Sequence, residues 1–99
     1  MLIQEHFKRN LWHIIYGTRG GYTRLRIIQM LIKRPYNANH ITKELNLDYK
    51  TVQHHLKVMA ENNIIISSKK KYGKVYFLSN SMKENSGLVK EALAKFGEK

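Results

Sequence analysis

Residues 37–74 read NANHITKELNLDYKTVQHHLKVMAENNIIISSKKKYGK, and this stretch decides the fold. Its apolar spacing predicts two short helices joined by a tight turn, followed by a β-hairpin with a lysine-rich tip. A helix presented in this way fits a major groove about 12 Å wide, while a basic hairpin can lie along the neighbouring backbone of a duplex. The stretch therefore indicates a helix-turn-helix unit with a wing.

Polar residues mark the ends of these two helices, the third and fourth of the chain. Asn37 is a favourable N-cap for the third helix, and Asn46 can adopt the left-handed conformation that ends it. Asp48 is expected to cap the fourth helix, which ends near Asn62 and Asn63. The inward faces are predicted from helical spacing to be Ala38, Ile41, Leu45, Val52, Leu56 and Met59.

Two further helices are expected before this stretch. Apolar spacing predicts the first helix over 2–16, with Gly17 as a left-handed C-terminal cap. After a pair of glycines, Thr23 can cap the second helix, which Pro35 ends. The inward residues of the second helix are expected to be Ile27, Ile28 and Leu31.

The pattern changes to strand character after the fourth helix. The β-branched residues 64–66 are expected to pair with 75–78 across a KKKYG loop. Ser81 and Glu84 then have the spacing of a capping box. The apolar residues Leu88, Ala92, Leu93 and Phe96 predict a last amphipathic helix.

Together these elements predict a mainly α protein with a small β-hairpin. A winged helix-turn-helix core over 22–79 is flanked by an N-terminal helix over 1–17 and a C-terminal helix over 81–99. The 99 residues, 42% of them hydrophobic, are enough for one domain with a modest core.

The charge of the chain points to a polyanionic partner. Eighteen Lys and Arg against seven Asp and Glu give a net charge of +11, which suits nucleic acid or an anionic membrane surface. No apolar run approaches the roughly 20 residues that span a bilayer, and the first residues lack the order of a secretion signal. We therefore expect double-stranded DNA as partner, no membrane insertion, and a cytoplasmic, nucleoid-associated protein.

The outward face of the fourth helix is the predicted base-contacting surface. Lys50, His54 and Lys57 fall opposite the apolar stripe, with Tyr49 and Gln53 beside them. Residues near the amino end of a docked helix contact base edges, so Gln53 could pair with adenine and the lysines with guanine or phosphate. An ordinary solvated helix face is the alternative interpretation.

The tip of the hairpin gathers like charges that a phosphate backbone would compensate. A loop made soluble by lysines is the alternative. The full set of predicted DNA-binding residues is Lys43, Tyr49, Lys50, Gln53, His54, Lys57, Lys69, Lys70, Lys71 and Lys74.

Residues 18–79 resemble the ArsR-type winged helix-turn-helix regulators, particularly small archaeal versions of that group. The most specific segments are RLRII at 24–28, TVQHHLKVM at 51–59 and the YFL strand that ends at Leu78. The resemblance implies a dimeric transcription factor in which the fourth helix is the recognition helix and the hairpin is the wing. It also implies that His55 flanks the core while His54 faces DNA.

The chain departs from the metal-sensing members of that family. Those members use cysteine-bearing helices or clustered histidines and carboxylates, and this chain has no cysteine. His6 and His13 lie seven residues apart, but two imidazoles seldom form a metal site unaided. His40, His54 and His55 are expected to be surface or DNA-facing groups. No metal and no other cofactor is predicted.

Other sites are also not expected. The GTRGG segment at 17–21 lacks the lysine and hydroxyl pattern of a nucleotide-binding loop, and a helix end with a hinge is the favoured interpretation. The single aspartate is assigned as a cap, and the glutamates are scattered without a paired carboxylate or nucleophile. No catalytic residue and no enzyme activity is therefore predicted.

The two terminal helices are expected to form a homodimer. A twofold partner would place two recognition helices about 34 Å apart. Packing of the same stripes on the chain's own core is the alternative. The predicted dimer-interface residues are Ile3, Phe7, Leu11, Ile14, Leu88, Leu93 and Phe96.

Three functions remain open at this stage. The first is sequence-specific DNA binding that regulates transcription, most simply by occluding a promoter. The second is an architectural, weakly sequence-specific chromatin protein, which the charge and small size favour. The third is a protein-interaction module on a winged scaffold, or a membrane contact through the first helix.

Overall fold

A computed structural model describes residues 2–97, with side chains from residue 5 onward. Over this range the helices are α1 (Leu2–Tyr16), α2 (Gly21–Lys33), α3 (Ala38–Leu45), α4 (Tyr49–Glu61), α5 (Asn80–Glu84) and α6 (Leu88–Gly97). The strands are β1 (Tyr36–Asn37), β2 (Ile65–Ser67) and β3 (Val75–Leu78). The predicted fold class, mainly helical with a small hairpin, is confirmed.

The sheet has one strand more than the sequence predicted. β2 and β3 form the expected antiparallel hairpin, with Ile65 opposite Leu78, although β2 covers 65–67 and not the predicted 64–66. β1 pairs antiparallel with the other edge of β3, with Tyr36 opposite Tyr76, so the strand order is β1-β3-β2. A two-residue strand has no periodicity of its own, and its partner lies far along the chain. The added strand ties the base of the wing to the start of α3.

The caps of the two central helices are as predicted. The Asn37 side chain accepts a 2.7 Å hydrogen bond from the amide of His40, and Asn46 ends α3 in the left-handed region with φ 54°. The Asp48 carboxylate accepts from the amides of Lys50 and Thr51 at the start of α4. Short side chains thus fix the tight turn that orients α4.

The start of α2 differs from the prediction. Its N-cap is Gly20 in the left-handed region with φ 86°, Thr23 lies inside the helix, and Gly17 has no positive φ. A Cβ atom at Gly21 would lie 1.7 Å from the carbonyl oxygen of Ile15, so only glycine permits this approach of α2 to α1. Tertiary packing, which capping preferences do not include, sets this helix start.

The predicted single C-terminal helix over 81–99 is also wrong. Ser79, not Ser81, caps a short α5 by accepting from the amide of Met82, and a turn at 85–87 precedes α6. Asn85 is buried, and its side-chain amide donates to the carbonyl oxygen of Ser81. This hydrogen bond closes the carboxyl end of α5. Residues 98–99 lie outside the described range.

The core takes up the inward faces predicted for α2, α3 and α4. All nine of those apolar residues are buried. Phe7, Leu11 and Ile14, which were predicted to face a second subunit, are buried in the chain's own core. Leu88, Leu93 and Phe96 are half-buried, and the Ile3 side chain lies outside the described part. Packing within the chain, which was the alternative to a dimer, therefore accounts for three of the four α1 residues predicted to face a second subunit.

An aromatic cluster remains at the surface where α1, α2 and α6 meet. The Tyr16 ring stacks on Phe96 at 5.6 Å, and Trp12 and Tyr22 pack beside them. Tyr16 is 45% exposed and Tyr22 is 47% exposed. In the part of the chain that is described, no helix has the length and apolarity needed to cross a membrane.

Candidate nucleic-acid interface

The apolar face of α4 determines which of its side chains face solvent. Val52, Leu56 and Met59 are at most 1% exposed, and they lock the rotation of the helix about its axis. The opposite face therefore presents a polar row to solvent. Its exposed members are Tyr49, Lys50, Gln53, His54 and Lys57, all of which the sequence predicted for this surface.

One contact orients the proposed base-contacting side chain. The Gln53 Nε2 atom donates a 2.8 Å hydrogen bond to the Tyr49 hydroxyl one turn earlier. The other Nε2 hydrogen and the Oε1 atom stay available, so Gln53 retains the donor and acceptor that an adenine edge requires. Tyr49 thus holds the amide in a defined direction without blocking it.

The wing comprises β2, β3 and the loop 68–74. The amide of Ser68 donates to the carbonyl of Val75, and the amide of Val75 donates back to the Ser68 hydroxyl, which closes the loop. Gly73 takes a positive φ of 66° at the turn, and Tyr72 is 82% exposed. The four predicted lysines of the loop, Lys69, Lys70, Lys71 and Lys74, are all exposed.

Two open grooves connect the wing with the helices. One, of about 510 Å³, runs between α4 and the wing, from Gln53 and Lys57 to Lys74 and Tyr76. The other, of about 340 Å³, lies between the wing tip and the start of α3, where Asn37 joins its lining. Lys43 is exposed on α3 but lines neither groove. The predicted residues of α4 and Lys71 and Lys74 therefore share one continuous surface.

Sequence reasoning missed residues that tertiary structure brings to this surface. Asn39 and Tyr76 line the groove beside the wing tip. Burial, and to a smaller extent the nearby Tyr49, raises the pKa of the Tyr76 phenol. The exposed asparagine at the start of a helix-turn-helix was a usable signal, whereas the position of Tyr76 depends on the register with β1.

His55 departs from the prediction that it lies at the surface. It is only 7% exposed, in agreement with the resemblance-based expectation that it flanks the core. His54 is exposed, and His40 is exposed and packs edge-on against the Tyr36 ring at 4.8 Å. The (i, i+3) relation of His55 to Val52 and its adjacency to Leu56 could have placed it at the edge of the buried stripe.

A buried arginine holds His55 in place. The Arg24 Nε atom donates to His55 Nδ1 at 3.1 Å, and Nη1 donates to the Ile14 carbonyl and the Thr18 hydroxyl. Arg24 therefore links the end of α1 with α2 and α4. Burial lowers the pKa of His55, and the charges of Arg24 and His54 lower it further. Burial also lowers the pKa of Arg24.

The described residues contain no cluster of three or more His, Cys, Asp or Glu side chains arranged to bind a metal. The grooves beside α4 are instead lined by amide, hydroxyl, imidazole and ammonium groups. Such groups can donate hydrogen bonds to phosphates and both donate to and accept from base edges.

Comparison with protein families agrees with this geometry. The model of the bacterial regulatory proteins of the arsR family matches residues 22–67. The chain carries an ArsR-type helix-turn-helix segment. The predicted resemblance is confirmed over the larger part of 18–79. The matched family and fold are those of DNA-binding transcriptional regulators and not of enzymes. No curated protein sequence matches the chain.

Solved structures share the fold of this chain. HlyU from Vibrio cholerae N16961 aligns with a TM-score of 0.73 and 18% identity over 92% of this chain and 96% of that chain. A transcriptional regulator homologue from Pyrococcus horikoshii OT3 aligns with a TM-score of 0.66 and 20% identity over 91% of this chain and 95% of that one.

A third similar structure contains DNA. Reduced AbfR bound to DNA aligns with a TM-score of 0.63 and 16% identity, over 95% of this chain and 68% of the AbfR chain. AbfR is a protein of Staphylococcus epidermidis. At these identities the three structures establish the common fold.

Proposed function

We propose that the protein is a homodimeric, sequence-specific regulator of transcription that binds double-stranded DNA through α4 and the wing. The α4 side chains contact base edges, and the wing lysines contact phosphates. Occlusion of a promoter is the simplest mode of action for so small a chain, which makes repression the proposed outcome. The site of action is the cytoplasm, on nucleoid DNA.

The observation that carries the proposal is the continuous surface formed by α4 and the wing. Buried α4 residues fix its rotation, its exposed face bears Lys50, Gln53, His54 and Lys57, and a groove joins this face to Lys74 of the wing. A net charge of +11 supplies long-range attraction to a polyanion. The alternative of an ordinary solvated helix face does not account for the basic wing that adjoins α4.

Dimerisation is proposed through the α1 and α6 side of the molecule. Phe7, Leu11 and Ile14 have little surface left, so the contact would use the aromatic side chains that remain partly exposed there. Trp12, Tyr16 and Phe96, three members of the aromatic cluster, form this aromatic patch, and Leu93 packs partly buried against the core. A twofold contact here would present two copies of α4 to one duplex.

Fluorescence anisotropy with labelled duplexes tests DNA binding. If six to ten phosphates are contacted, affinity should fall by roughly three to five decades between 50 and 200 mM salt. Salt-insensitive binding, or no binding at low salt, would contradict the proposal. A competitor duplex of random sequence measures specificity in the same assay.

An architectural DNA-binding protein is the second candidate. The observation that favours it is the charge, because eighteen basic residues on 99 would bind any duplex. Equal affinity for a selected duplex and for random competitor would favour this candidate. A footprint that persists over excess random competitor would exclude it.

A further inference from the structure

A second basic cavity, here called the turn cavity, lies beside α4 on the side away from the wing. Gln53 borders the groove between α4 and the wing, whereas His55 borders the turn cavity. On the helix surface these two residues lie on opposite sides of His54. The turn cavity has a volume of about 490 Å³ and is a shallow depression widely open to solvent. The lining residues that matter are Arg19, Gly20, Arg24, Lys50, His54 and His55.

His55 directs a hydrogen-bond donor into the turn cavity. Because Nδ1 accepts from Arg24, the proton of the neutral ring lies on Nε2. Nε2 has no protein partner among the described residues. In that part of the chain, Thr42 Oγ1 is the only side-chain nitrogen or oxygen atom that is both fully enclosed and without a partner, so His55 Nε2 is not fully enclosed. The ring edge faces Gly20, where an added Cβ would lie 2.5 Å from Cε1 of His55. A side chain more than nine-tenths buried thus leaves one N–H open to the cavity.

Arg24 contributes a positive charge that no described residue neutralises. It is 4% exposed, and its hydrogen bonds go to an imidazole, a carbonyl and a hydroxyl, all of them neutral. Nη2 is not used in these bonds. A buried cation without a carboxylate partner favours an anion at the nearest solvent opening.

The amino end of α2 borders the turn cavity through Gly20. Its N-cap, Gly20, lines the cavity and has no side chain to accept from the first amides of the helix. The amide of Arg24 donates the first intrahelical bond of α2, so the amides of 21–23 have no intrahelical acceptor among the described residues. The helix dipole adds partial positive charge at this end.

We propose that the turn cavity binds a phosphate group. Its inner wall offers His55 Nε2–H and the Arg24 guanidinium, and its rim offers the side chains of Arg19 and Lys50. None of the residues that line it is acidic. The phosphate is either a diester of the DNA backbone or a free phosphate anion. The first source rests on the proposed DNA binding and extends the DNA contact beyond α4, opposite the wing.

Phosphate binding is tested first without DNA. Inorganic phosphate replaces chloride at constant ionic strength while the amides of Gly20 and Gly21 and the His55 ring are followed by NMR. These signals should shift and saturate, and Arg19→Gln should weaken the apparent affinity several-fold. Lys90→Gln removes the same charge from the exposed face of α6 and should leave the affinity unchanged. Signals that respond no more to phosphate than to chloride, or equal losses in both variants, overturn the proposal.

The source of the phosphate is tested with duplex DNA. If the backbone supplies it, Arg19→Gln should reduce the slope of log affinity against log salt by about 0.9, and Lys90→Gln should not. An unchanged slope in a variant that has lost inorganic phosphate binding assigns the cavity to a free anion. If the wild type binds no duplex, the proposed function fails while the NMR result still decides whether the cavity binds phosphate.

Discussion

Single polar residues determine how α4 is presented. Asn37, Asn46 and Asp48 could be predicted from sequence because caps and left-handed turns depend on neighbours only a few residues away. The bond from Arg24 to His55 joins residues 31 apart in the chain, and no local pattern predicts it. The sequence therefore predicted the outward face of α4 but not the contact that secures its inner edge.

At Tyr49, removal of the hydroxyl should reduce base discrimination. Tyr49→Phe deletes the acceptor that holds Gln53, so the amide gains rotational freedom while charge is unchanged. Affinity for a selected duplex should fall several-fold and affinity for random duplex should stay constant. Paired anisotropy titrations measure both quantities. Equal losses on both duplexes would show that the hydroxyl acts on binding in general.

His55 should make stability depend on pH. Its pKa in the folded protein lies below the ordinary 6.5, so the unfolded chain binds the proton more readily. Stability is fully present above about pH 6.5 and falls as the pH drops toward the folded pKa. His55→Gln retains an acceptor for Arg24 but cannot be protonated, so its Tm should vary less between pH 7 and 5. The control is His6→Gln at an exposed histidine, which should leave the change of Tm between pH 7 and 5 as it is in the wild type.

At the scale of elements, periodic segments were predicted well and interrupted ones poorly. The bounds of α1 and β3 followed from apolar spacing, whereas β2 lies one residue later than the predicted 64–66. β1 was missed because two residues carry no period, and the break between α5 and α6 was missed because the buried Asn85 closes a helix whose apolar pattern continues. Both misses depend on contacts between elements.

The cap of α4 should contribute measurably to stability. Asp48→Ala leaves the amides of Lys50 and Thr51 without their acceptor and should lower the free energy of unfolding by about 1 kcal/mol. Urea denaturation followed by circular dichroism measures the loss. Glu44→Ala removes an equal charge from the exposed face of α3 and should change the free energy of unfolding much less. Equal effects would assign the loss to charge and not to capping.

The wing should contribute affinity without sequence preference. Lys70→Ala removes one exposed charge from the loop and should weaken all duplexes alike, with a salt slope smaller by about 0.9. Anisotropy on two unrelated duplexes measures the change. A loss confined to one sequence would contradict the phosphate role proposed for Lys70.

At the scale of the whole molecule, burial assigns most of the apolar face of α1 to the chain's own core. The α1 stripe is amphipathic in either case, and only the packed structure assigns Phe7, Leu11 and Ile14 to the chain's own core. Phe96 was among the predicted interface residues, but Trp12 and Tyr16 of the aromatic patch were missed because the patch joins residues from both ends of the chain.

Light scattering at micromolar concentration should give twice the mass of one chain. Tyr16→Glu places a charge in the aromatic patch and should shift the mass toward that of one chain. Tyr72→Glu makes the same change on the wing, where the side chain is 82% exposed, and should leave the dimer intact. A wild type that is monomeric at this concentration would rule out the proposed dimer.

The central claim is that α4 contacts the bases of a preferred duplex site, and selection from a random duplex pool tests it most directly. The wild type and Gln53→Ala are carried through the selection in parallel, and the enriched sequences are compared. The proposal predicts one enriched site with twofold-related halves, and a changed preference at one position of each half for the variant. No enrichment by the wild type, or identical preferred sites for both proteins, would contradict it.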